Sequence, residues 1–366
     1  MELAELVGLR PVPGAGLLLT LTRRCPLSCA HCSTSSTMAG EEPDGSHLLR
    51  FLGTFTAEDR PELVMLTGGE PLLRPELAAE CAATARAAGT RTALLSGMFF
   101  AREGRIPARI LRAVTAADHF SASLDAFHER EVSRAEVFRA VHRVLDAGVP
   151  ASFHLTGTGA GDPYLAEVTA AIRREFDDRV PMLVNEVRAV GRAAGWAAAG
   201  RTAAAADPDR ALPCAMAAWP VVAFDGTVLA CCNQQAVDRR PAPAHLRLGH
   251  IAEDDWATVR SRTLASPVLR LIRAVGPAHL YARYGPGAAP AGYCAGCRDL
   301  PGHPAVTAGA VRDGAGPVGE LLDREAARIQ YQAGPVELVG RHGCAAYAPL
   351  VDLPRTRPAA VGGGPR

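Results

Sequence analysis

Six short apolar runs, most of them followed by a helical pattern, constrain this chain more than any other feature. Gly16–Thr22 reads as a strand, and Leu63–Leu66 as a second with a helix over Pro75–Ala88. Arg91–Ser96 is a third strand, with a helix near Ala108–Ala117. The fourth, Phe120–Leu124, leads to a helix from Ser133 to Ala147 that opens on a Ser133/Glu136 capping box and stops at Gly148. Ala151–Thr156 and Pro181–Val187 flank a helix at Tyr164–Phe176. Repeated β-then-α units need parallel strands joined by right-handed crossovers. Such a sheet closes naturally into a partial or complete β/α barrel, with its chemistry at the C-terminal strand ends.

Directly after the first strand stands Cys25-Pro-Leu-Ser-Cys29-Ala-His31-Cys32, a C-x3-C-x2-C set. Three thiolates on one loop can grip one metal centre. On a four-iron cluster they leave one iron open to a ligand, whereas electron-transfer clusters are usually closed by four Cys. The same thiols, completed by His31 or a distant residue, also suit zinc. The second strand ends in Gly68-Gly69-Glu70-Pro71. Its glycines let backbone approach a ligand closely, and Glu70 offers a carboxylate to a ligand ammonium group.

Composition narrows the setting. Ten Cys in 366 residues are too few for a disulfide scaffold. Their clustering points instead to metal binding in a reducing, cytoplasmic compartment. The N-terminus lacks a basic signal region, and no apolar stretch approaches the roughly 18 residues of a membrane span. With 39 basic and 38 acidic residues the chain is near neutral, which argues against nucleic acid as a partner. Every basic residue is Arg, so Schiff-base, pyridoxal-phosphate and P-loop chemistry, which need an ε-amine, are excluded.

A second constellation follows an Ala-rich stretch. Val221–Phe224, Asp225-Gly226 and Thr227–Cys231 read as a hairpin that holds Cys214 and Cys231 along a small sheet. After a helix near Asp254–Ile272 and a Gly/Pro-rich loop at Gly285–Gly292 comes a C-x2-C knuckle, Cys294-Ala-Gly-Cys297. Four thiolates suit either a closed zinc site or a closed 4Fe–4S cluster. The organisation read from these shifts is a lead-in over 1–15 and a barrel over 16–196. A linker over 197–212, a cluster domain over 213–300 and a C-terminal extension with a frayed tail over 301–366 complete it.

Over roughly residues 15 to 195 these motifs resemble the radical SAM superfamily. The resemblance implies that Cys25, Cys29 and Cys32 hold a 4Fe–4S cluster whose open iron chelates S-adenosylmethionine. Gly68, Gly69, Glu70 and Pro71 would then contact the methionyl amine. Ser121-Ala-Ser123-Leu-Asp125 resembles the ribose-contacting strand end, nominating Ser123 and Asp125, and His31 would pack near the adenine. The run Glu186–Arg192, with Arg188, resembles the segment lining the adenine side. One departure is Leu95-Ser96-Gly97-Met98, where a Thr-Asn-Gly turn is common. The C-terminal pattern, with Gly249-His250-Ile251 and a Trp-bearing helix, looks like a SPASM extension. His303 and Thr307 stand where further Cys would be expected, which brings it closer to the truncated twitch form. That form implies one auxiliary 4Fe–4S cluster on Cys214, Cys231, Cys294 and Cys297, with Cys232 competing for the second place. The expected fold is α/β: a partial (β/α)6 TIM-like barrel with a small C-terminal α+β twitch/SPASM-like cluster domain.

The activity so implied is reductive cleavage of S-adenosylmethionine to a 5′-deoxyadenosyl radical that abstracts hydrogen from a substrate, with flavodoxin or ferredoxin as electron donor. Among further catalytic candidates, Asp125 and His128 follow the fourth strand; His128 either accepts a proton or simply starts the next helix. Cys232 is a hydrogen-atom donor or an idle thiol. The expected reaction is oxidation or epimerisation of a sugar or aminocyclitol in natural-product biosynthesis. The alternative is crosslinking or epimerisation of a ribosomally made peptide, weakened because only about 15 residues precede the first strand, too few for a leader-binding domain. A third reading, of another class, is a non-enzymatic zinc- or iron-binding protein.

Overall fold

The computed structural model describes residues 1–197, 211–285 and 292–354. Most of the expected linker, the interior of the Gly/Pro-rich loop and the tail beyond 354 lie outside them. Strands β1 (Gly16–Thr22), β2 (Leu63–Gly68), β3 (Arg91–Ser96), β4 (His119–Ser123), β5 (Ala151–Gly157) and β6 (Met182–Glu186) are parallel. The fold is an α/β partial barrel. After α1 (Leu3–Gly8), the crossovers carry α2 (Gly45–Leu52), α3 (Pro75–Ala87), α4 (Ala108–Ala116), α5 (Arg134–Asp146) and α6 (Pro163–Glu175). Helix α5 begins with the expected box, Ser133 and Glu136 serving each other's orphan groups. Leu17, Leu19 and Leu21, which share one face of β1, are fully buried.

Beyond the barrel run α7 (Ala194–Ala197), β7 (Val221–Val222), β8 (Thr227–Leu229), α8 (Gln234–Val237), β9 (Arg247–His250) and α9 (Trp256–Ala265). Then come α10 (Pro267–Ala274), α11 (Pro277–Tyr284), α12 (Tyr293–Asp299), α13 (Pro304–Gly314) and α14 (Gly316–His342).

Three expectations are corrected here. The hairpin does not form a small sheet of its own. Val221 and Val222 pair in parallel with Leu18 and Leu19, so the full order is β6-β5-β4-β3-β2-β1-β7-β8-β9. An unpaired β1 edge would expose a row of backbone donors and acceptors, and the buried Val pair covers its Leu18–Leu19 stretch. The single helix read over 254–272 is two helices: Pro267 cannot continue α9, and the Ser266 side chain caps α10 by accepting from the Leu269 amide at 3.3 Å. The C-x2-C pair lies on α12, so Cys294 and Cys297 share a helix face by their i,i+3 spacing and do not sit on a loop knuckle.

Helix α14 was not foreseen. It is interrupted where Gly334 adopts φ 83° ahead of Pro335, and it packs with α1 and β6 beside the barrel. No described helix is long and apolar enough to cross a membrane.

Candidate active site

The C-x3-C-x2-C loop leaves β1 and is fixed from outside itself. Arg192, just past β6, donates from Nε to the Cys29 carbonyl at 2.8 Å and from Nη1 to the Ser36 carbonyl at 2.7 Å. Its amide meets the Cys32 carbonyl at 3.0 Å. Only glycine fits before it: a Cβ on Gly191, at φ +57°, would fall 2.3 Å from that same carbonyl. Trp196 adds a bond from Nε1 to the Ala30 carbonyl at 3.2 Å.

All three thiols line a cavity of about 570 Å³ inside the barrel mouth. Burial, and then the neighbouring Glu70, Cys29 and Cys32, push the Cys25 thiol up to about 12. Burial also acts on Cys32, but the Thr34 hydroxyl, nearby amides and the Arg192 charge outweigh it and hold that thiol below its ordinary value.

Gly68 and Gly69 line the same cavity beside the root of this loop, the Gly69 amide meeting the Thr22 carbonyl at 2.6 Å. A Cβ on Gly68, at φ +140°, would stand 2.3 Å from the Thr22 carbonyl, so backbone here touches backbone of β1 and stays open to the cavity. Glu70 turns the other way. Its fully buried carboxylate accepts from Ser96 Oγ at 3.0 Å, the Gly97 amide at 2.8 Å and the Leu72 amide at 3.0 Å. Burial lifts it to about 7. Neither Glu70 nor Pro71 lines the cavity. The unusual Leu95–Met98 turn thus has a local reason: Ser96 and Gly97 hold Glu70.

Asp125 is likewise occupied. Its carboxylate accepts from the Phe127 amide at 2.9 Å, the His128 amide at 3.1 Å and His128 Nδ1 at 2.9 Å, with His31 Nε2 at 3.3 Å. It therefore orients two imidazoles and does not line the cavity, whereas Ser123 does. Burial opposes charge on His128, but Asp125 outweighs it and raises the imidazole to about 10. His31 is lowered, chiefly by burial, and stacks on Phe127 with centroids 4.6 Å apart.

Sequence reasoning missed His154 and Asn185, which face the cavity from β5 and β6. Their side chains meet at 2.7 Å. Burial lowers His154 to about 4, so the neutral Nε2 accepts from the Asn185 amide. The available signal was polar residues at inward, period-two positions near strand ends. Arg188 lines the cavity but reaches away from the first loop: Nη2 donates to the His342 carbonyl at 2.7 Å, and its charge acts on Cys294.

The second thiol set gathers Cys214, Cys231, Cys294 and Cys297, with Cys232 beside them. Cys297 feels Cys214 and Cys294; Cys231 feels Cys232, Cys214 and Cys297. Tyr293 ties α12 to the Cys214 segment by donating to the Leu212 carbonyl at 2.6 Å. Of the five, only Cys232 lines the cavity, and its sulfur accepts from Arg10 Nη2 at 3.2 Å. A tetrahedral zinc with 2.3 Å bonds holds its sulfurs about 3.8 Å apart. Among the described residues, neither cysteine set brings three donor atoms within 4.8 Å of one another; only His31, Asp125 and His128 do, and they are already hydrogen-bonded together.

Residues 19–171 match the family model described as the Radical SAM superfamily. No curated protein matches the chain. Among solved structures, SuiB of Streptococcus suis bound to S-adenosylmethionine is similar at 12% identity, covering 74% of this chain and 75% of that one, with a TM-score of 0.48. For anSMEcpe with AdoMet and Cp18Cys peptide the values are 14%, 68%, 80% and 0.41. For BtrN with AdoMet and 2-DOIA they are 13%, 68%, 83% and 0.37. Likenesses of this size bear on neither mechanism nor substrate.

Proposed function

We propose that this chain, which carries a radical SAM domain over residues 19–171, is an enzyme that takes a hydrogen atom from an organic substrate held in the barrel cavity. The observation that carries the reading is that Cys25, Cys29 and Cys32, and no fourth Cys of their loop, open onto one cavity that Gly68 and Gly69 also line. Cys25, Cys29 and Cys32 would hold a 4Fe–4S cluster, which would supply the electron for reductive cleavage of S-adenosylmethionine.

The chain's own residues do the rest. Arg192 fixes the thiol loop; Gly68 and Gly69 let backbone approach the methionyl end; Ser123 and His31 flank the nucleoside side. His154 and Asn185 offer polar groups at mid-cavity to orient the substrate. Apolar side chains such as Met65, Leu95 and Leu183 exclude water from a reactive intermediate.

We further assign residues 16–196 to the barrel chemistry and 213–300 to an auxiliary centre on Cys214, Cys231, Cys294 and Cys297. Cys231 is favoured over Cys232 because Cys232 is turned to the cavity and engaged by Arg10. A closed four-thiolate centre would supply an acceptor for a second electron, making the net reaction an oxidation such as dehydrogenation of a small alcohol. Anaerobic reconstitution with iron, sulfide, S-adenosylmethionine and dithionite tests the reading. 5′-Deoxyadenosine and about eight iron per chain are expected; bound zinc with little iron and no 5′-deoxyadenosine would establish the non-enzymatic alternative instead.

A further inference from the structure

One wall of the cavity is built from three parts of the chain that sequence reading left unconnected. Arg10 follows α1, Arg188 follows β6, and His342 ends α14; all three line the cavity. The Arg10 guanidinium lies over Trp219 at 4.7 Å from the ring centroid. Its Nη2 is used by the Met216 carbonyl at 3.4 Å and Cys232 Sγ at 3.2 Å. Its Nη1 is buried without a partner, and so is His342 Nε2. Burial, then the charges of Arg188, Arg341 and Arg10, lower His342 to about 4, so the ring is neutral and free to present Nε2–H.

Among the described residues neither Arg10 nor Arg188 pairs with a carboxylate. Glu186, in the same wall, is engaged by the buried Cys344 thiol. Burying a guanidinium arm and an imidazole nitrogen with nothing to bond them is costly. Two unpartnered donors in a positive field match the two oxygens of one carboxylate. Around them the wall is apolar: Leu6, Val7, Leu338 and Val339 come from α1 and α14.

We propose that Arg10 Nη1 and His342 Nε2, backed by the charge of Arg188, form a receptor for the carboxylate of a substrate whose body is apolar. The proposal rests on the reading of this cavity as the substrate site and narrows its substrate class, placing a carboxylic acid ahead of a cationic aminocyclitol.

The test is calorimetric titration of the anaerobically reconstituted full-length protein, saturated with S-adenosylmethionine, using hexanoate, hexan-1-ol, hexylammonium and hexyl phosphate as probes. Hexanoate is expected to bind at least ten-fold more tightly than the alcohol, and hexylammonium more weakly than either. Arg10→Met and His342→Phe should each weaken hexanoate at least ten-fold, while Arg10→Lys keeps part of the affinity. Titration of S-adenosylmethionine into each variant shows that the rest of the cavity is intact. Equal binding of acid and alcohol overturns the proposal. Tighter binding of hexyl phosphate than of hexanoate overturns the carboxylate assignment. If Arg10→Met shifts the reduction potential of the auxiliary centre but leaves hexanoate binding unchanged, Arg10 is only a counter-charge to thiolates, and the proposal also fails. Because these readouts do not need radical chemistry, absence of 5′-deoxyadenosine in a separate assay overturns the proposed function without touching the receptor.

Discussion

The two cysteine sets are assembled in different ways. Cys25, Cys29 and Cys32 share eight consecutive residues, and their loop is clamped by one arginine. Cys214, Cys231, Cys294 and Cys297 arrive from a short turn after residue 211, the end of the β7–β8 hairpin and helix α12. The first set opens onto the cavity; the four of the second do not line it. Local sequence can present three thiols to one cavity because their spacing needs no distant partner. A thiol set gathered from separate elements depends on packing, and the Tyr293 bond to Leu212 ties α12 to the Cys214 segment.

Substituting the cysteines should separate the two sets most sharply. Cys29→Ala is expected to remove about four iron per chain and reduce 5′-deoxyadenosine below detection. Cys297→Ala should also cost about four iron yet leave cleavage of S-adenosylmethionine measurable, with the substrate product lost. Loss of cleavage in both would erase the distinction between the centres.

Arg192→Ala breaks two charge-assisted bonds to the first loop, which together contribute about 3 kcal/mol. Iron should dissociate faster from the first centre only, read as the loss of about four iron on anaerobic gel filtration, while the auxiliary centre is retained.

His154 bears on the cavity and on neither thiol set. Its pKa falls from 6.5 unfolded to about 4 folded, so the unfolded chain binds more protons in that interval and stability drops as pH falls from 6.5 toward 4. Between pH 6.5 and 4.5 this amounts to about 2 kcal/mol. His154→Gln should flatten that part of a urea-unfolding profile; an unchanged slope would show that His154 is not buried neutral.

Tyr293→Phe removes one neutral hydrogen bond, about 1 kcal/mol, and should loosen the auxiliary set alone, seen as slower incorporation of its iron during reconstitution.

Much of the barrel was legible because buried parallel strands read as apolar runs and turn residues mark their ends. β1 and β3 fall where the sequence put them, and the Ser133 box starts α5. The second half was less legible. A two-residue strand such as β7 has no periodicity to detect, and its parallel docking on β1 is a contact between residues some 200 positions apart. Glu70 and Asp125 show the same limit at the site. Their motifs mark them as important, but whether a carboxylate faces a ligand or its own fold depends on neighbours: Ser96 and Gly97 for one, His31 and His128 for the other.

By itself, then, the sequence determined the six-stranded barrel, the open thiol loop and the glycine turn, because each is set by periodicity or by spacing within a few residues. Only the tertiary structure decided that the hairpin extends the barrel sheet, that Arg192 clamps the loop, that His154 meets Asn185, and that Arg10 and His342 share a wall. Those depend on side chains brought together across long loops, where the burial of apolar surface, rather than local propensity, selects the neighbour.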